Sequence, residues 1–151
     1  MQTKSDEQTI LYLFREIAAV EHLLRNHYDR AAPAGMTAGQ FGVLSYFIRT
    51  GKSEERLSIL AWVFQDEDTY MAEKVATLVQ RGLLSTVPSD RDAGDLMVAI
   101  TDQGRESHAQ AIDEIRPDVE QLLEGISMDD VRTTLKVVQD IRRTLDHMPG
   151  R

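Results

Sequence analysis

The sequence predicts a mainly helical α+β fold with five or six helices and a single β-hairpin. Apolar residues recur every three or four positions over both ends of the chain, as in amphipathic helices. Two short strand-like runs, residues 83–88 and 96–100, flank a polar hairpin tip at residues 89–95. A length of 151 residues suits one domain, or one domain with a dimerisation extension.

The first long helix is predicted over residues 9–31. Its apolar positions share one face and are Ile10, Leu13, Phe14, Ile17, Val20, Leu24 and Tyr28. The stretch Ala32-Pro33-Ala34-Gly35 ends it. Thr37 then caps a second helix in a capping-box spacing with Gln40, and Gly51 closes that helix in a turn.

The middle of the chain predicts a helix, a tight turn, a second helix and a hairpin. Arg56-Leu57 is long enough only for a bridging strand, and Ser58 is expected to cap a helix that runs to Phe64. Thr69 caps the next helix or lies in its first turn, and Gly82 ends that helix before the hairpin. This order of elements is that of a winged helix-turn-helix, a DNA-reading arrangement.

The C-terminal part predicts two further helices. One runs from residue 101 to about 124, and the other follows an N-terminal signal at Ser127-Met128-Asp129-Asp130. The terminal helices are long and apolar on one side, with little core of their own to cover. We therefore expect them to pack on a second subunit, with a helical dimerisation region at residues 1–35 and 102–151 and a winged helix-turn-helix domain at residues 36–101.

The composition excludes several classes of protein. There is no cysteine, so disulfides and thiolate metal sites are absent. No signal peptide or membrane-length apolar run is visible, which predicts a cytoplasmic protein without membrane contact. We find no phosphate loop or nucleophile elbow, so an enzyme is not expected, nor is a cofactor. A zinc site from Glu21, His22 and His108 is a weak alternative because the ligand spacing is poor.

The chain resembles the MarR family of winged-helix transcriptional regulators over nearly its whole length. The matching motifs are Met36-Thr37-Ala38-Gly39-Gln40-Phe41-Gly42-Val43-Leu44, Leu57-Ser58-Ile59-Leu60-Ala61, Leu78-Val79-Gln80-Arg81-Gly82-Leu83-Leu84, Ile100-Thr101-Asp102-Gln103-Gly104-Arg105 and Ser127-Met128-Asp129-Asp130-Val131. The resemblance implies a homodimer that binds palindromic double-stranded DNA. It also implies release from DNA by a small phenolic or lipophilic effector, bound between the dimer helices and the lobe.

Carried over by position, the resemblance assigns the DNA contacts. Thr69, Tyr70 and Lys74 would enter the major groove, and Arg91 would serve the wing if the hairpin shifts its register. The family places an arginine at the end of an Asp-x-Arg motif in the wing, which here falls on Asp92-Ala93-Gly94. The expected position therefore holds glycine, and Arg91 lies three residues earlier.

The charge of these elements disagrees with DNA binding. The whole chain has 17 Lys and Arg against 25 Asp and Glu, a net charge of −8. The predicted recognition segment carries four carboxylates, and phosphates repel carboxylates. These residues are Asp66, Glu67, Asp68 and Glu73. The alternative interpretation is that the first three only cap the helix and offset its dipole.

The preceding helix also departs from the family pattern. Ile59, Trp62 and Val63 are apolar where the family has polar residues. If exposed, they form a surface for a protein partner or a ligand; alternatively, the helix is shifted and buries Trp62. A second hypothesis follows, namely a MarR-like dimer with a degenerate DNA-binding surface that acts as a protein-interaction or ligand-binding module.

Overall fold

The computed structural model describes residues 3–150, which contain six α-helices and a small three-stranded sheet. The helices are α1 (Lys4–Ala31), α2 (Ala38–Thr50), α3 (Leu57–Phe64), α4 (Asp68–Gln80), α5 (Asp102–Leu123) and α6 (Met128–Asp146). The strands are β1 (Glu54–Arg56), β2 (Leu84–Pro88) and β3 (Leu96–Ile100). The predicted mainly helical α+β fold is confirmed.

The sheet joins the bridging strand to the wing. Its order is β1-β3-β2, and both pairings are antiparallel. Glu54 pairs with Ala99 on one side of β3, while Leu84 pairs with Ile100 on the other. Because β1 directly precedes α3, this sheet connects the wing to the start of the helix-turn-helix.

Helices α2, α3 and α4 and the sheet form one body, which we call the lobe, and its core lies between them. Phe47, Leu60, Met71 and Val98 are fully buried in it. The 3.6-residue period predicted Met71, Val75 and Leu78 as the inner face of α4, and all three are buried. At one edge, His108 of α5 stacks on Phe41 and shares a 3.0 Å hydrogen bond with Ser45.

Several helix ends follow the predicted signals. Thr37 and Gln40 form the expected capping box, and Gly51 ends α2 with a φ of 70°. Ser127 caps α6 by accepting from the Asp130 amide. Helix α1 begins at Lys4 rather than residue 9, because Thr3 and Asp6 form a second capping box that extends it by more than a turn. The apolar repeat alone places the start beside Ile10, because the polar capping residues lie before the first apolar position.

The start of α3 differs from the prediction. The helix begins at Leu57, with Arg56 at the cap position and no side-chain cap from that residue. Ser58 is therefore inside the first turn and is not the N-cap. Its hydroxyl is free to bond elsewhere, and it does so to the wing.

The chain divides into two compact units, one ending at Glu114 and the other beginning at Ile115. Helix α1 in the first unit and helix α6 in the second each have no fully buried residue. The predicted boundaries at residues 35/36 and 101/102 stay a prediction, and their outermost positions, residues 1, 2 and 151, lie outside the described residues. Within residues 3–150, none of the helices is both long and apolar enough to cross a membrane.

Candidate nucleic-acid interface

The helix-turn-helix is formed by α3 and α4, joined by Gln65, Asp66 and Glu67. Gln65 adopts a left-handed conformation, with φ 55° and ψ 34°, and its side-chain amide donates to the Trp62 carbonyl at 2.5 Å. The Asp66 amide donates to the Ala61 carbonyl at 2.9 Å. These bonds satisfy carbonyls at the end of α3 and turn the chain sharply into α4.

The outward face of α4 carries Thr69, Tyr70 and Glu73, followed by Thr77 and Gln80. All five are exposed, and Tyr70 is 58% exposed. Two of the predicted contacts, Thr69 and Tyr70, therefore lie on the solvent side of the second helix. Thr69 is in the first turn, and Glu67 occupies the cap position. Thr77 and Gln80 share the face, and the helical period already available in the sequence could have identified them.

Lys74 is paired within the protein, and its contact with DNA stays a prediction. Its ammonium group pairs with the Asp66 carboxylate, and its side chain is only 28% exposed. The stem lies against Gly39 of α2, where an added β-carbon would be 3.1 Å from Lys74 Cε. Lys74 thus contacts α2 and pairs with the turn, although it lies one helical turn after Tyr70. The sequence could not reveal this, because the 74–66 pairing depends on the turn geometry.

Arg81, the other cation of residues 65–81, is also bonded within the protein. Arg81 donates to the Ala34 carbonyl at 2.8 Å and to the Gly35 carbonyl at 3.1 Å. These bonds fix the turn between α1 and α2, where Ala34 has a positive φ of 50°. The cap position and exposed face of α4 therefore present Glu67, Asp68 and Glu73, with no unpaired lysine or arginine in residues 65–81 to oppose them.

The capping interpretation of the acidic residues holds only in part. Glu67 makes no side-chain capping bond to α4, and the Asp66 carboxylate bonds to Lys74. Asp68 lies in the first turn, where a negative charge is favourable beside the helix dipole. The helix dipole therefore explains the position of Asp68, whereas no cation of residues 65–81 balances Glu67 and Glu73.

The wing carries Arg91 at its tip. Arg91 is exposed, and its backbone amide donates to the Ser89 hydroxyl at 3.3 Å. Gly94, at the position where the resemblance expects arginine, has a φ of 88° and is fully open around its α-carbon. The other cation beside the wing, Arg56, is bonded to Asp92 at 2.6 Å. Arg91 is therefore the exposed cation at the tip of the wing.

The wing is also bonded to the helix-turn-helix. Asp95 accepts from the Ser58 hydroxyl at 2.6 Å and from the Ser58 amide at 3.2 Å. It also accepts from the Leu96 amide at 2.8 Å. The Ser58 hydrogen bond is the main reason that the pKa of Asp95 lies below its usual value, so the group is a carboxylate at neutral pH. Neither Ser58 nor Asp95 was predicted in this role.

The apolar residues of α3 separate in the structure. Trp62 is 64% exposed, so the alternative in which α3 buries it is wrong. Val63 packs against the lobe core, and Ile59 is half-buried. The proposed partner surface at Ile59, Trp62 and Val63 thus has one largely exposed member, Trp62. It lies on the same helix-turn-helix as Tyr70.

A groove opens between α1, α2 and the α3–α4 turn. Leu24, Tyr28 and Phe64 supply apolar lining, and the charged lining consists of Arg25 and Lys74 with the carboxylates of Glu21 and Asp66. Arg25 is paired with Glu21 at 2.5 Å. Over residues 3–150 no three His, Asp or Glu side chains are grouped to hold a metal ion, so Glu21, His22 and His108 do not form the zinc site considered above.

Comparison with solved structures identifies the class of fold. BldR, a transcriptional regulator from Sulfolobus solfataricus, matches with a TM-score of 0.75 at 17% identity, over 97% of this chain and 100% of that one. A mutant MarR from E. coli, complexed with operator DNA, matches with a TM-score of 0.70 at 21% identity, over 93% and 99%. A MarR regulator from Methanosarcina mazei Go1 matches with a TM-score of 0.75 at 16% identity, over 91% and 99%.

These matches define a winged helix-turn-helix protein. More narrowly, the chain has the fold of the MarR-family transcriptional regulators, as the sequence motifs predicted. No family model matches the sequence, and no curated protein matches it as a relative.

Proposed function

We propose that the protein is a dimeric transcriptional regulator that binds double-stranded DNA through α4 and the wing. The observation that carries the proposal is the complete helix-turn-helix, with the polar outer face of α4 exposed and Arg91 free at the tip of the wing. Thr69 and Tyr70 would contact base edges or phosphates from α4, and Arg91 would reach the minor groove. Lys74 would join them only on leaving Asp66. The similar structures named above are regulators, and none is described as an enzyme.

A salt-dependent mobility-shift titration tests this proposal. We expect retardation of genomic fragments near 20 mM salt, and Arg91→Ala should lower the slope of log affinity against log salt by about 2 if each protomer loses one phosphate contact. Lys136→Ala is the matched control, since Lys136 is an exposed cation of α6 outside the lobe. No retardation by the wild-type protein at low salt would overturn the proposal.

Exposed apolar side chains on the terminal helices support the proposed homodimer. Leu11 and Leu23 of α1 are 64% and 65% exposed, and Leu135 and Leu145 of α6 are more than half exposed. Apolar faces of this extent on long helices are typical of subunit interfaces. Light scattering checks the assembly, and we expect twice the chain mass of 17.1 kDa; a monomer at micromolar concentration would contradict it.

The groove beside α1 supports the effector part of the proposal. An aromatic ring would lie among Leu24, Tyr28 and Phe64, with its anionic group near Arg25 or Lys74. We expect millimolar hydroxybenzoate to raise the melting temperature of the wild-type protein and to weaken DNA retardation. Phe64→Ser should lose the thermal shift, whereas Val87→Ser, an exposed change on β2, should keep it. An equal shift in both variants would place the ligand elsewhere.

A further inference from the structure

We propose that Asp95 is a positioning residue which caps α3 from the wing and so sets where Arg91 lies. The inference rests on the proposed DNA binding, and its test separates the two. The cap position of α3 is held by Arg56, which makes no side-chain bond to the helix start. A helix start has several amides that need acceptors, and an acceptor from elsewhere can supply one.

Asp95 supplies that acceptor. One carboxylate oxygen takes the Ser58 amide of the first turn at 3.2 Å, and the other takes the Ser58 hydroxyl at 2.6 Å. A negative charge also interacts favourably with the N-terminal end of a helix. The first turn of α3 is thus completed by Asp95, which lies 37 positions after Ser58 in the chain, at the base of the wing tip.

The same residue shapes the wing. The Asp95 carbonyl accepts from the Ser89 amide at 3.0 Å, and the Asp95 amide donates to the Asp92 carbonyl at 3.2 Å. These two bonds close the tip that carries Arg91, and Asp92 in turn holds Arg56. Asp95 therefore joins the base of the tip to α3. Without its carboxylate, the tip keeps its backbone bonds and the Asp92–Arg56 pair but loses its two bonds to the first turn of α3.

We predict that removing the Asp95 carboxylate lowers DNA affinity, although removing a negative charge near DNA normally raises it. Removing a carboxylate near DNA should strengthen binding, because phosphates repel negative charge. Asp90→Ala, in the same hairpin and exposed, should do so. Asp95→Ala should instead weaken binding, since the tip that carries Arg91 loses its bonds to Ser58 and is held less firmly. Asp95→Asn should restore binding, because an amide can accept from the Ser58 amide and donate to the Ser58 hydroxyl.

The experiment combines DNA titration with hydrogen exchange. We expect Asp95→Ala to speed amide exchange in α3 on the order of fivefold, as for the loss of a helix cap, and Asp95→Asn to keep it near wild type. We expect Asp95→Ala to have no further effect on affinity once Arg91→Ala is present. Unchanged α3 exchange in Asp95→Ala, or additive losses with Arg91→Ala, would overturn the inference. If the wild type binds no DNA, the exchange result still tests the cap while the proposed function fails.

Discussion

Neutralising the three exposed carboxylates at the cap position and on the outer face of α4 should raise DNA affinity by about 100-fold at low salt. The variant carries Glu67→Gln, Asp68→Asn and Glu73→Gln, all of which change charge and keep shape. Two unit charges 4 Å apart in water interact by about 1 kcal/mol, which is roughly fivefold in affinity for each carboxylate. Mobility-shift titration near 20 mM salt measures the effect, and the gain should shrink as salt screens the repulsion.

A second triple variant controls for total charge. Glu106→Gln, Glu120→Gln and Glu124→Gln remove three exposed carboxylates from α5 and the turn that follows it, so both variants have the same net charge. The α4 variant should gain much more affinity than this control if α4 faces DNA. Equal gains would mean that only overall charge matters and that α4 is not at the interface. Circular dichroism checks that α4 stays helical without the carboxylates in its first turn.

The acidic surface bears directly on the two functions considered from the sequence. Lys74 and Arg81, which would have balanced it, bond to Asp66 and to the Ala34 and Gly35 carbonyls. A direct regulator with this surface depends on Arg91 and on polar contacts from α4, so its affinity should be low and sensitive to salt. A module that engages a protein partner would use the same face with exposed Trp62. The charge variants separate these two cases, because the negative charge of α4 repels DNA and its removal should raise affinity only if α4 binds DNA.

Most of the fold could be predicted because its signals are local. A capping box needs two side chains three residues apart, and Thr37 with Gln40 provides it. A helix end often needs one residue with a positive φ, which glycine adopts without strain, and Gly82 after α4 has a φ of 76°. The buried face of α4 follows from a repeat of three and four residues. None of these signals depends on a distant part of the chain.

The site could be predicted only in part because its bonds join distant segments. Thr69 and Tyr70 were placed on the outer face by helical position, and that face is where they lie. The partner of Lys74 is eight residues away across a turn, and the partner of Asp95 is 37 residues away across the sheet. A sequence position gives a side chain's identity, but the direction of a long cation is set by whichever carboxylate the fold brings near.

Gly104→Ala should cost the most stability of any single change considered, about 3 kcal/mol. Gly104 lies in the first turn of α5, which closely approaches Leu83 in the turn between α4 and β2. A β-carbon there would overlap the Leu83 carbonyl oxygen and come within 3.0 Å of Ile100 Cγ1. That carbonyl also accepts from the Thr101 amide at 3.2 Å, and the Thr101 hydroxyl donates to the Gly82 carbonyl at 2.7 Å. The backbone therefore cannot move aside without breaking these bonds, which join the wing to α5.

Gly42→Ala is the matched control, since it adds the same methyl group within a helix of the same lobe. Its β-carbon would meet Phe64 Cε1 at 3.4 Å, an ordinary contact, and alanine favours the helix by up to about 1 kcal/mol. Urea unfolding should therefore show a lower midpoint for Gly104→Ala and an equal or higher one for Gly42→Ala, with similar slopes. Equal stability of both variants would mean that α5 and Leu83 are not in close contact in solution, and the wing would then not be held by the Thr101 bonds described here.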